Sequence, residues 1–169
     1  MGVSGPVVFA VLLISTIVSF GMLYASGESA YSMFHKASVE YNAMQLKLRT
    51  AELKLVNYSC QTLPNLTVYD ISFNITNAGS ILSPPKWVYI YDGELADASV
   101  VGPAVKYVLP GENVVVTVQN VPKVANVTHS LVISTEVGCA LKIKWEWVGN
   151  STNGWPQVIG SAWYCPVEG

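Results

Sequence analysis

The chain has 169 residues, of which 51% are hydrophobic and only 12% charged, with nine Lys and Arg against eleven Asp and Glu. Charged residues are at about half their usual share, and this excludes a disordered or strongly charged protein. A net charge of −2 leaves no basic footprint, so no nucleic-acid partner is expected.

Residues 2 to 27 carry no charged side chain. Pro6 to Tyr24 form a continuous apolar run, long enough for the ~20 residues that a spanning helix needs. Eleven Val, Leu, Ile and Phe residues between Val7 and Leu23 favour insertion by roughly 3–6 kcal/mol together. Gly21 and the Ser and Thr residues fit such a helix, because backbone and hydroxyls bond within it. A cleaved signal would carry a basic leader and a shorter apolar core, and neither is present. Two readings stay open: a permanent membrane anchor, or a helix packed against copies of itself in a filament core.

No Pro or Gly interrupts the stretch after Gly27 up to Leu55. Tyr31, Phe34, Tyr41, Met44, Leu48, Ala51 and Leu55 make one helical stripe, with most charges off it. The pattern predicts one helix from about Gly5 to Leu55, reaching ~75 Å against a hydrocarbon core of ~30 Å. More than half of it is expected to extend beyond a membrane. His35 reads as a polar position on that helix. Residues 1–55 form the first predicted domain and 56–169 the second.

From Val56 the period changes to two. Tyr69, Ile71, Phe73 and Ile75 alternate with polar residues, which turns Asn74 outward. Pro84-Pro85 and Asn77 to Ser80 mark a turn. Lys86 to Tyr91 is a strand closed by Asp92-Gly93, a strong hairpin signal. Val105 to Leu109 is a candidate short strand. Pro110-Gly111 fits a tight turn, and Asn113 to Gln119 a strand. Pro122 restricts the chain there to an edge or loop. Val127 to Val137 and Cys139 to Val148 follow, the latter with Leu141, Ile143, Trp145 and Trp147 on one face. Gly149 to Gly154 is a polar loop, and Trp155 to Tyr164 a last strand. Seven or eight strands with turns at short intervals predict an antiparallel β-sandwich, and an α+β fold for the whole chain.

Cys60, Cys139 and Cys165 lack C-x-x-C spacing and the chain has only two histidines, so no zinc site is expected; no other metal site and no cofactor are expected either. One disulfide and one free thiol is the simplest arithmetic, and the sequence leaves the pairing open. Five N-x-S/T sequons begin at Asn57, Asn65, Asn74, Asn126 and Asn150, marking glycosylation candidates on an exterior domain. No nucleophile elbow, phosphate loop or calcium loop occurs. Asp92, Glu94 and Asp97 read as a solvated turn. His129 lies in a strand and has no evident Ser or Asp partner. The C-terminal Trp residues suit a core or an interface, with sugar stacking as the rival role. No enzymatic activity is expected, and a sugar-binding module or an enzyme ranks third among the functional readings.

The order of apolar N-terminal helix, helical extension and β domain resembles that of archaeal flagellin-like and type IV pilin-like proteins. Within them the chain resembles the archaellum accessory protein F family, the stator component. The resemblance rests on Met1 to Ser4, Phe20 to Tyr24, Leu55 to Tyr58, Phe73 to Ser80, Asp92-Gly93 and Leu109 to Asn113. It covers most of the chain in short, degenerate pieces, and Gly149 to Gly169 has no counterpart. It implies an immunoglobulin-like domain outside the cell, in the archaeal envelope, that contacts surface-layer and archaellum proteins. The helix would lie in the membrane or a filament core, and homo-oligomers are expected. The alternative is a structural filament subunit, which predicts a leader removed before residue 1.

Overall fold

The computed structural model describes residues 5–62, 67–150 and 153–166. One helix, α1, spans Gly5–Thr50. Nine strands follow among the described residues: β1 Leu53–Thr62, β2 Val68–Asn77, β3 Val88–Tyr91, β4 Glu94–Leu95, β5 Val100–Val101, β6 Asn113–Pro122, β7 Thr128–Ser134, β8 Ala140–Gly149 and β9 Gly154–Tyr164. The chain divides into two compact units, Met1–Met44 and Gln45–Gly169.

In the first unit the helix keeps its hydroxyls satisfied internally. Ser15 and Thr16 donate to Leu12 O, and Ser19 donates to Ser15 O. The side chains of Val7 to Tyr24 are exposed, and their apolar surface is not covered within this unit by any of the described residues. Among the described residues this is the one helix long and apolar enough to cross a membrane.

The second unit is an antiparallel sandwich. One sheet runs β1-β2-β6-β5, the other β4-β3-β7-β8-β9. Alternation sets the faces. Tyr69, Ile71, Phe73 and Ile75 of β2 and Val114, Val116 and Val118 of β6 point inward from the first sheet; Leu131, Ile133, Leu141, Ile143, Trp145 and Trp147 do so from the second. Trp145 packs on Phe73, and its Nε1–H donates to the Tyr69 hydroxyl at 3.0 Å. The α+β class and the sandwich expected from the periodicity are therefore the observed ones.

Several boundaries differ from the sequence reading. The helix ends at Thr50, not Leu55, and Leu53 is buried in β1 opposite Asn77. Ala51 to Leu55 have good helix propensity, but sheet pairing and burial of Leu53 outweigh those tenths of a kcal/mol. The strand expected from Lys86 starts at Val88, because Pro84–Lys86 form a single 3-10 turn. Val105 to Leu109 form no strand; Val108 alone makes a bridge, to Leu82. Pro122 is not confined to an edge or loop, since it ends the interior strand β6 opposite Val68. A strand's last residue can dispense with the ladder N–H that proline lacks.

The turns follow their residues. Asp92 and Gly93 both have positive φ, 49° and 90°, as a two-residue hairpin turn needs. Gly111 has φ 85°, and Glu112 N–H closes the Pro110-Gly111 turn on Leu109 O at 3.1 Å.

Candidate functional site

Three places in the sandwich unit gather polar or reactive side chains. The first lies where the β3–β4 turn meets the start of β7. The pairing of Tyr91 with Leu131 brings the turn against that strand. The Asp92 carboxylate accepts from Ser130 N–H at 2.6 Å through one oxygen and lies 2.7 Å from His129 Nδ1 through the other. An acceptor-only carboxylate there puts the proton on Nδ1. The Tyr91 hydroxyl is 3.1 Å from the same nitrogen, and the Tyr91, Trp145 and His129 rings cluster with centroids 5.7 to 6.1 Å apart. Burial and the neighbouring Asp92 charge push the Tyr91 phenol well above its usual range. Burial also pushes Tyr69 up to about 12, against the opposing hydrogen bond from Trp145.

The expectation that His129 lacks a partner is corrected here: Asp92 stands 37 residues away in sequence and is delivered by strand pairing. The orientation is that of an acid–histidine pair, with Nε2 left as the working atom. That atom is buried and has no hydrogen-bond partner among the described residues. Through Ser130 N–H and His129 Nδ1, Asp92 ties the β3–β4 turn to the start of β7. Asp92, Glu94 and Asp97 do not converge; among the described residues no group of three metal-ligating side chains is found.

The second place lies at the end of the helix. Glu136 takes the Lys47 ammonium at 3.2 Å and Ser83 N–H at 2.8 Å on one oxygen. Its other oxygen accepts from Trp87 Nε1–H at 3.2 Å. Asn77 is fully buried, donating to Ser80 O and Val108 O and accepting from Gly79 N–H. Gly79 lies so close to Thr50 and Glu52 that a Cβ would overlap their backbone. The disulfide joins Cys139 to Cys165, and Trp163 Nε1–H donates to Ala51 O at 3.1 Å. Beside them lies an open groove of about 760 Å³, lined by Leu48, Glu52, Gly79, Trp163 and Cys165 among others. Glu136 through Lys47, Gly79 against Thr50, and Ser80 N–H donating to Thr50 O hold the last helical turn to the sandwich.

The third place is the free side of β1. Asn57 and Cys60 sit there, both exposed, and Cys60 is the free cysteine. Partial burial of its sulfur raises the Cys60 thiol above its ordinary value, opposed by the Lys123 charge and reinforced by Asp70. It is therefore not an activated thiolate. Asn74 is half-buried on β2 beside Asn57, Asn126 is exposed with φ 62°, and Asn150 is exposed after β8. Asn65 lies outside the described residues. Of the C-terminal Trp residues, Trp145 and Trp147 are core and Trp155 is exposed.

Comparison with known proteins finds no matching family model, no matching curated protein and no matching solved structure.

Proposed function

We propose that this chain is a non-enzymatic cell-envelope protein, anchored by α1 and working through its sandwich as an interaction module. The observation that carries the reading is the composition of α1. Its first twenty positions are mostly apolar, uncharged and exposed, and the same helix continues to Thr50, past the unit boundary at Gln45. Such a surface has to be covered by lipid or by other helices. The sequence resemblance to the archaellum stator component gives the partner class: surface-layer and archaellum proteins of an archaeal envelope, with the sandwich outside.

A filament subunit is the second reading. The same exposed apolar stretch favours it, because helices packed in a filament core would cover it equally well. Protease added to intact cells, followed by fractionation, tests both. The anchored reading expects the sandwich to be digested from outside and the helical remnant to stay with membranes. Recovery of the chain in sheared filaments supports the second reading, and protection of the sandwich until lysis defeats both.

A further inference from the structure

We propose that Asn57 is an N-glycan attachment site, and that its glycan covers the open β1 edge of the sandwich. The inference rests on the sandwich lying outside the cell.

The four sheet edges are unequal. β4 and β5 have two residues each, too short to template another strand. β9 carries Pro156, and its pairing shifts register opposite Lys144 and Trp145. β1 is a ten-residue edge, exposed at every position from Val56 to Thr62, and none of those seven residues is charged. Exported sandwiches that persist as single species protect such an edge with charge, proline or cover. β1 from Val56 onward has no proline and no charge. It has a sequon.

The geometry also separates the sequons. Side chains two apart on a strand share a face, so Asn57 and the Ser59 hydroxyl point the same way. Transfer needs that hydroxyl brought to the amide, which requires the strand to bend. β1 is free on one side and already irregular between Leu55 and Asn57, so it can bend without breaking a second ladder. Asn74 is its cross-strand neighbour and sits on the same face. β2, however, is paired on both sides, to β1 and β6, and Asn74 is half-buried. A folded domain offers Asn57 and withholds Asn74. Asn126 is offered too, being exposed in the β6–β7 connection with a left-handed backbone.

In the transfer, the Asn57 amide nitrogen attacks the anomeric carbon of a lipid-linked, phosphate-activated oligosaccharide. The new carbon–nitrogen bond forms, the carbon–oxygen bond to phosphate breaks with its electron pair leaving on phosphate, and the amide loses one proton.

Glycopeptide mass spectrometry of the full chain, purified in detergent from cells that export and N-glycosylate proteins, tests this. Sugar is expected on Asn57 and Asn126 and absent from Asn74. Sugar on Asn74 with Asn57 bare overturns the assignment. So does a bare Asn57 when protease added to intact cells reaches the sandwich, an outcome that leaves the exterior reading standing. Protection of the sandwich in intact cells removes the exterior reading and this inference together. Size-exclusion in detergent, with Cys60→Ser in every variant to remove the free thiol, reads the covering role. Asn57→Gln is expected to raise the oligomeric fraction several-fold while Asn126→Gln leaves it at the parent level; an unchanged profile for Asn57→Gln overturns that role.

Discussion

His129 Nδ1 stands 2.7 Å from Asp92 Oδ2, a contact across 37 residues of sequence that joins the β3–β4 turn to β7. His129 is almost fully buried, and its other nitrogen already lacks a partner among the described residues. Removing Asp92 would take the acceptor from Ser130 N–H and leave His129 Nδ1 with the Tyr91 hydroxyl alone. Stranding a buried polar group costs about 1–3 kcal/mol. Asp92→Ala is expected to lower the unfolding free energy by that amount in a urea titration. Asp92→Asn, which keeps an acceptor oxygen, should lose less. Equal stability of Asp92→Ala and the parent would show that the contact holds nothing.

The centre of the core sets a second expectation. Trp145 is fully buried between Phe73 and Tyr69, whereas Lys144, its neighbour in β8, is exposed. Truncating a buried Trp costs about 3–5 kcal/mol, out of the ~5–15 kcal/mol available to a domain. Trp145→Ala should therefore unfold or severely destabilise the sandwich, and Lys144→Ala should change stability by less than ~0.5 kcal/mol. Denaturation of both variants decides it. A stable Trp145→Ala that has lost binding to glycans would make Trp145 a sugar platform instead.

How far the sequence could be read follows from range. The period-two face of β2, the alternation of β8 and the Asp92-Gly93 and Pro110-Gly111 turns are written in neighbouring residues, and all were legible. The end of α1 was not, because Ala51 to Leu55 suit a helix locally. What stops it is the meeting of Leu53 with Asn77 and the close approach of Gly79 to Thr50, which no local pattern records. The Asp92–His129 contact was hidden for the same reason. The lone buried histidine in an apolar strand was its one available sign. Residues of β1 past Leu55 look like half-buried strand by composition, and only the sheet order shows them on an open edge.

The three cysteines divide sharply. Cys139 and Cys165 form the disulfide across a separation of 26 residues, tying the end of β9 to the start of β8. Loop-closure entropy for that span amounts to about 3–4 kcal/mol. Reduction, or the Cys139→Ala and Cys165→Ala pair, should lower the thermal midpoint of the sandwich markedly. Cys60→Ser should leave it within ~0.5 kcal/mol of the parent, because Cys60 is exposed and unpaired. A reduced parent with an unchanged midpoint would contradict the structural role of the bridge.

Alkaline pH tests the buried tyrosines. Burial raises Tyr69 and Tyr89 from 10.0 to about 12. The unfolded chain loses these phenolic protons near pH 10, while the folded chain keeps them until about pH 12. Over that window the unfolded state binds fewer protons, so stability falls as pH rises. The contribution is whole below pH 10 and is spent once pH passes the folded values near 12. Urea midpoints should therefore hold level up to about pH 10 and drop steeply above it. Tyr89→Phe removes an ionisable group for which no hydrogen bond is seen among the described residues, and should flatten the drop. Tyr69→Phe should flatten it as well but start lower, since Trp145 Nε1–H then loses its acceptor. A parent whose midpoint is flat through pH 12, with tyrosine absorbance showing ionisation near pH 10 in the folded state, would place both rings in contact with water.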